Sequence, residues 1–390
     1  MRGIETPITT VRRQVFEEVA RIAFNSTSQS MNDDIEAVPY KIVNEDTELY
    51  RESMYQSREI VRERVRLAMG LGIRPIQTRS LMTDGMDAAA VAEKLGFPFA
   101  VLDCRRQFDD CVIQRFVSAY EAGDTPNPCI ECNRHLKFSH LFDYAKEQGC
   151  DTVVTGHYAR VEYDEKSGKY QLKKAANAAK DQTYVLYFLT QEQLAHIRFP
   201  LGEMADKEAV RQRAAEMNFA AATKKDSQDI CFIPDGKYAD FIRRRTGREY
   251  PEGDFVDADG NVLGRHKGLI GYTIGQRKGL GLALPAPLYV RSKCMEQNTV
   301  LLTPESELYS ATLIADGFNW VAGESPAAPI RVTAKTRYSA KEAPATVTAL
   351  SDGRVQVVFD TPQRAITTGQ AVVLYDGDCV VGGGTIREVE

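Results

Sequence analysis

Apolar positions in the first eighty residues recur at helical spacing. Val11, Val15, Val19, Ile22 and Ala23 share one predicted helix face, and Ile60, Val61, Val65 and Ala68 share a face of a second helix over 48–69. The Ser- and Asn-rich stretch Asn25–Asp34 predicts a loop, and Gly70, Gly72 and Pro75 end the second helix. From Asp84 the texture changes. Ala88–Leu95 predicts a helix stopped by Gly96, Phe97–Leu102 a buried strand, Val112–Glu121 and Leu136–Glu147 helices, and Thr152–Thr155 a strand. Helices alternating with short apolar strands over short connections predict a parallel, doubly wound α/β sheet. Ligands of such sheets bind beyond the carboxyl ends of strands, where Gly156 and His157 fall. Residues 203–245 turn helical, with Asp206 placed to cap Lys207–Met217. After Gly264 the period becomes two. Ile330–Tyr338, Ala345–Leu350, Arg354–Phe359, Ala371–Leu374 and Cys379–Val381 predict short strands, with turns at Ser351-Asp352-Gly353 and Asp376-Gly377-Asp378. That spacing fits a small β-barrel or sandwich.

A length of 390 residues adds the expectation of two or three domains. The net charge of −5 argues against a non-specific nucleic-acid coat but permits local basic patches. Arg243, Arg244, Arg245 and Arg248 form one such cluster, readable as a solvated helix face or as a nucleic-acid contact. There is no apolar run long enough to span a bilayer and no apolar stretch near the N-terminus, so no membrane association and a cytoplasmic location are expected. In that setting eight cysteines point to redox, metal or nucleophilic roles rather than to a disulfide scaffold.

The densest chemical signal is Thr125-Pro126-Asn127-Pro128-Cys129-Ile130-Glu131-Cys132-Asn133. Two prolines restrict the backbone, and two cysteines follow, three positions apart, ahead of a helix whose dipole favours a thiolate. The pair reads as a redox couple, half of a metal site, or a nucleophile with a neighbour; no second Cys-x-x-Cys completes a zinc site. Cys231 follows the charged stretch Lys224–Asp229 and reads either as a core thiol or as a thiolate favoured by Lys224 and Lys225. Thr155-Gly156-His157-Tyr158-Ala159-Arg160 lies at a strand end. Lys180-Asp181-Gln182 is a polar triplet, and Thr273–Leu280 carries two cations and flexible glycines suited to an anion. Arg337-Tyr338 pairs a cation with an aromatic suited to phosphate and base. Cys104, Cys111, Cys150, Cys294 and Cys379 read as core residues.

In this order and spacing, these segments resemble the tRNA-specific 2-thiouridylase family. Phe199-Pro200-Leu201-Gly202, Asp226–Ile233, Thr273-Ile274-Gly275-Gln276-Arg277, Gln363-Arg364-Ala365 and Thr368-Gly369-Gln370 complete the motif set, and the likeness covers Asp87 to the C-terminus. The resemblance implies an adenine-nucleotide alpha-hydrolase-like (PP-loop) α/β domain over 81–196, with 223–236 returning to it. A small central domain over 197–305 and a C-terminal β-barrel over 306–390 would follow. The implied activity is ATP-dependent transfer of persulfide sulfur to C2 of wobble uridine 34 in tRNAs for Lys, Glu and Gln, with Mg accompanying ATP and a cysteine desulfurase relay as sulfur donor.

Carried over residue by residue, Cys231 would hold the persulfide and Cys132 would attack it or close a disulfide with it. Asn127, Pro128 and Cys129 would line the target base, and Gly156 would contact ATP. His157, Lys180, Asp181, Gln182, Arg337, Tyr338 and Gln370 would contact tRNA. Cys129 stands where some members carry Asp, which makes Cys129, Cys132 and Cys231 candidate ligands of an iron–sulfur cluster. The family's opening strand and Ser-Gly-Gly-x-Asp-Ser loop, which wraps the ATP pyrophosphate, do not occur in this sequence, and residues 1–80 form a helical segment that does not match. The α/β domain is therefore expected to be incomplete. A non-catalytic tRNA-binding relative and an iron–sulfur protein are the alternative readings.

Overall fold

The computed structural model describes residues 102–204 and 230–390, with Val210, Gln212 and Glu216 between them. The predicted helices and loop of residues 1–80, the helix Ala88–Leu95, most of the strand Phe97–Leu102, the Asp206 cap and the stretch Lys224–Asp229 lie outside the described residues. Val210, Gln212 and Glu216 are helical, consistent with the predicted Lys207–Met217 helix.

Two helical stretches follow the expected pattern. The first runs through Arg105–Phe108, the π-wound Asp109–Ile113 and Gln114–Glu121. The second runs through Pro128–Cys132, the π-wound Asn133–His140 and Leu141–Glu147. Asn127 starts the second by accepting a hydrogen bond from the Cys129 amide, with Pro128 in the first helical turn where its missing N–H costs nothing. Phe108, Val112, Phe116 and Tyr120 bury one face against Leu136, Phe232, Ile233 and Ile242.

The expected Thr152–Thr155 strand is the shorter β1 (Val153–Val154). It pairs in parallel with β4 (Ile197–Arg198). Between them lies an antiparallel hairpin, β2 (Ala159–Asp164) and β3 (Lys169–Lys174), that alternation did not predict. Its residues are mostly polar, and only Ala159 and Leu172 are buried on it, so the period-two signal is faint.

The central part opens with helix Tyr238–Thr246, stopped by Gly247 in the left-handed conformation at φ 64°. Its sheet contains β5 (Gly253–Val256), β6 (Val262–His266), β7 (Tyr289–Cys294) and β8 (Thr299–Thr303), in spatial order β6-β5-β8-β7. Phe255, Tyr272, Val290 and Val300 form a core of its own.

The C-terminal strands are β9 (Tyr309–Trp320), β10 (Ile330–Lys335), β11 (Ala343–Ala349), β12 (Val355–Arg364), β13 (Ala371–Asp376) and β14 (Cys379–Val389). They run in the order β13-β10-β11-β12-β9-β14, and pairing of β13 with β14 closes the ring. The sequence left barrel and sandwich open; closure decides for the barrel, and it removes both sheet edges. Among the described residues no helix is long and apolar enough to cross a membrane.

The barrel is welded to the α/β part. Tyr184, Leu186, Tyr187 and Leu189 share one core with Ala371, Val373, Tyr375 and Val380. The Tyr184 hydroxyl donates to the Ala371 carbonyl at 2.7 Å, and the Asn319 amide donates to the carbonyls of Tyr187 at 2.7 Å and Leu189 at 3.1 Å. β3 joins the barrel sheet through Lys173 opposite Cys379 on β14. Close approach here requires glycine: a Cβ on Gly383 would lie 2.7 Å from the Tyr187 ring and 2.8 Å from the Val372 carbonyl oxygen. Gly383→Ala is expected to destabilise the protein by about 1–3 kcal/mol through overpacking, read as a lower midpoint in urea unfolding. An unchanged midpoint would mean that the joint is looser than described.

Candidate functional site

The Thr-Pro-Asn-Pro-Cys loop is held by the barrel. The Thr125 amide donates to the Thr368 carbonyl at 3.0 Å, and the Gln370 side chain donates to the Thr125 carbonyl at 2.6 Å. Gly369, at φ 82°, lets the two backbones approach, since a Cβ there would lie 2.8 Å from Asp124 Cβ and 3.0 Å from the Thr125 nitrogen. The Thr-Gly-Gln motif is thus a clamp on the loop that presents Asn127, Pro128 and Cys129.

Beyond the loop the thiols gather. Cys104, Cys132 and Cys231 all pack, half-buried, on the Phe108–Phe116–Phe232 core, and Cys129 is exposed beside them. Burial is the main reason that the Cys231 thiol is raised far above its ordinary value, and the charges of Cys132 and Cys129 raise it further. Cys104 is pushed up to about 11, mostly by burial and then by Asp103 and Cys132. Although Cys129 keeps open surface, protein crowds its sulfur, and the lost hydration raises its thiol to about 11. Burial also raises Cys132. The helix-dipole expectation for the Cys129–Cys132 pair is therefore corrected. Both cysteines sit in the first turns of the helical stretch that continues to Glu147, yet burial there raises their thiols. One cation opposes this trend: Lys137 lowers Cys129, Cys132 and Cys231 alike.

All eight cysteines are free thiols. Among the described residues no three His, Cys, Asp or Glu side chains are grouped so as to hold a metal ion. Of the five cysteines assigned to the core, Cys150 is exposed and Cys104, Cys111, Cys294 and Cys379 are only half-buried. Cys104 joins the thiol group, which its sequence neighbours gave no reason to expect.

The other singled-out residues divide by what they touch. Gly156 and His157 are buried. The His157 ring sits 5.6 Å from Phe138 and 5.8 Å from Phe199, with Nδ1 at 2.7 Å from the Thr155 hydroxyl. Asp181 accepts from the Ala175 amide at 3.0 Å and the Thr183 hydroxyl at 2.6 Å, and Gln182 accepts from the Tyr158 amide at 2.9 Å. Lys180 is half-buried at the end of the same turn. Arg337 donates to the carbonyls of Ile274 at 3.1 Å and Ala365 at 2.8 Å and to the Thr367 hydroxyl, fastening the central part to the barrel. Tyr338 is 44% exposed. It sits edge-on to Tyr184, with Lys335 5.9 Å from its ring. Burial raises its phenol, and the charges of Asp181 and Cys129 raise it further, placing Tyr338 on the thiol side of the molecule.

The arginine cluster serves structure in part. Arg245 pairs with Asp109 at 2.6 Å, Arg248 with Glu121 at 2.8 Å and Arg243 with Asp240 at 3.2 Å, while Arg244 is exposed. In the Thr273–Leu280 loop, Arg277 and Lys278 are exposed.

Burial, then the Lys137 charge, holds His157 well below its ordinary value of 6.5, so the folded ring is neutral. The unfolded chain binds a proton near 6.5 that the folded chain refuses. This contribution to stability is full above that pH and is lost as pH falls below it, by up to about 1.4 kcal/mol per pH unit. His157→Gln is expected to lose less stability than wild type between neutral pH and pH 5 in parallel urea titrations. Identical pH slopes would show that the histidine charges in the folded state.

Comparison with known proteins adds independent support. Three family models match consecutive segments: the tRNA methyl transferase HUP domain over 69–235, its PRC-barrel domain over 239–304 and the aminomethyltransferase beta-barrel domain over 310–386. The first match begins inside the 1–80 segment that sequence reading set apart. The tRNA-specific 2-thiouridylase MnmA of Acetivibrio thermocellus is 52% identical over 301 residues, covering 77% of this chain and 84% of that protein. Its counterpart in Clostridioides difficile is 48% identical over 302 residues, covering 77% and 83%. That of Symbiobacterium thermophilum is 48% identical over 302 residues, covering 77% of each. With half of its residues identical over three quarters of its length, and with the α/β part, central part and closed barrel in the same order, this chain belongs to the tRNA-specific 2-thiouridylase family of tRNA-modifying transferases.

Proposed function

We infer that this chain transfers sulfur to C2 of the wobble uridine 34 of tRNAs for Lys, Glu and Gln, with ATP activating the carbonyl. The observation that carries this reading is the convergence of Cys129 and Cys132 with Cys231, from distant segments, beside the exposed Tyr338 ring. In the reaction the uridine O2 attacks the α-phosphate of ATP and pyrophosphate leaves. The terminal sulfur of a Cys231 persulfide, loaded by a cysteine desulfurase relay, adds to C2, and AMP leaves with the oxygen. The Cys132 thiolate then attacks Cys231 Sγ, which forms a Cys132–Cys231 disulfide and frees the 2-thiouridine; a cellular dithiol returns both cysteines to thiols. AMP is the better leaving group, which is why activation precedes sulfur attack.

Asn127, Pro128 and Cys129 fit the place of the base, with Tyr338 offering a ring for stacking. Asp181, Gln182, Arg337 and Gln370 each have at least one polar atom engaged within the protein, which favours a role in shaping the tRNA-facing surface. His157 supports that surface from inside, and Lys180, Arg277 and Lys278 supply positive charge on it. Gly156, at the β1 end, would meet ATP, and Mg would accompany the nucleotide.

The missing Ser-Gly-Gly-x-Asp-Ser loop favours a second reading, in which the chain grips tRNA without activating it. A single-turnover assay with unmodified tRNA, ATP and a persulfide donor, read by nucleoside mass spectrometry, separates the two. ATP-dependent 2-thiouridine is expected, with loss of about a thousandfold or more in Cys231→Ser and Cys132→Ser. Binding of tRNA without product would overturn the first reading in favour of the second. Activity retained in either variant would overturn the assigned roles.

A further inference from the structure

Lys335 belongs to none of the motif assignments, yet its ammonium lies 5.9 Å from the centre of each of two tyrosine rings, Tyr184 and Tyr338. Strand register puts it there. On β10, Ala334 turns into the barrel core, while Lys335, opposite Val373 on β13, turns outward to the joint that Val373 shares with Tyr184. Both rings are held by other contacts. Tyr184 is fully buried, with its hydroxyl on the Ala371 carbonyl, and it meets Tyr338 edge-on with ring centres 6.1 Å apart. Arg337, fastened to Ile274 and Ala365, fixes the backbone next to Tyr338. The carboxylates around Lys335 are committed elsewhere. Asp181 accepts from the Ala175 amide and the Thr183 hydroxyl, and Glu342 accepts from the Thr333 hydroxyl at 2.7 Å and pairs with Lys174 at 2.6 Å. These two carboxylates and Lys174 are the charges that the Lys335 ammonium feels. Among the described residues no hydrogen bond or ion pair closes on it. A half-buried cation in this position has lost hydration that two ring contacts offset only in part, and an arriving anion would complete its surroundings.

We propose that Lys335 holds one backbone phosphate of the RNA, beside the nucleotide whose base stacks on Tyr338. The Tyr338 ring is 44% exposed and lies on the thiol side of the molecule, so a base stacked on it brings the adjoining phosphate within reach of an ammonium 5.9 Å from the ring centre. A lysine suits the task, because its point charge can follow a phosphate oxygen without demanding a fixed plane. The phosphates of a free nucleotide match less well, since the cation is coupled here to an exposed ring on the barrel and not to the β1 end. The proposal rests on the tRNA reading above for its ligand, but its test needs neither sulfur nor ATP turnover.

The test is binding of an unmodified anticodon stem-loop RNA to the full-length protein, read by fluorescence anisotropy across a salt series. A parallel set of RNAs carries a single uncharged methylphosphonate at each loop phosphate in turn. Lys335→Gln is expected to weaken binding about tenfold and to reduce the slope of log affinity against log salt by about 0.7. Lys335→Arg is expected to keep the wild-type slope. Tyr338→Ala is expected to weaken binding about tenfold with the slope unchanged, as loss of stacking requires. One methylphosphonate position is expected to weaken wild type and to have no effect on Lys335→Gln. An unchanged slope in Lys335→Gln would overturn the proposal. So would a wild-type scan in which no loop phosphate matters, a result that stands even if the Gln variant fails to fold. Displacement of the RNA by excess ATP from wild type but not from Lys335→Gln would assign the cation to the nucleotide and overturn it as well. Wild type that binds this RNA with the expected phosphate dependence yet forms no 2-thiouridine would sink the thiolation reading alone.

Discussion

The clamp of the barrel on the Thr125 loop is the constraint on which the site depends. A loop with two prolines has few backbone donors to anchor it, and here its fixed points come from outside: the Thr368 carbonyl and the Gln370 side chain. Everything downstream inherits that placement. The loop sets where the helix Pro128–Cys132 begins, this sets the first turn of the π-wound segment, and Cys132, Lys137 and Phe138 follow in register. Remove the clamp and the thiols lose their common frame, although none of them touches it.

Charge in the thiol group is decided by a contest between hydration and one cation. Cys104, Cys132 and Cys231 sit against the aromatic core that also organises the two helical stretches, so the packing that positions these thiols also disfavours their anions. The same balance explains why the histidine at the β1 end is neutral and packed between two phenylalanines instead of acting as an acid or a base.

Much of this was legible in the sequence. The helical periodicity of Val112–Glu121 and the alternation of strands such as β11 and β12 came through because each buries one face. The hairpin β2–β3 did not, because its strands bury little and join the barrel through a single residue pair. Barrel closure is a long-range pairing of β13 with β14 that local patterns leave undetermined. In the site, the Cys-x-x-Cys segment and Cys231 were visible as chemistry. The membership of Cys104 was not, because it depends on tertiary packing. Gln370 and Arg337 were visible as notable residues, but nothing in the chain tells a bracing side chain from a ligand-facing one.

The Arg337 bracket has a consequence for how an RNA must enter. Its guanidinium ties the Ile274 backbone of the central part to the Ala365 and Thr367 corner of the barrel, while the barrel is welded to the α/β part by the Tyr184 and Asn319 hydrogen bonds. Side chains, rather than the connecting backbone alone, thus fasten both joints. On the proposed reading, a tRNA loop that presents its base readily would meet this fastened frame at least cost.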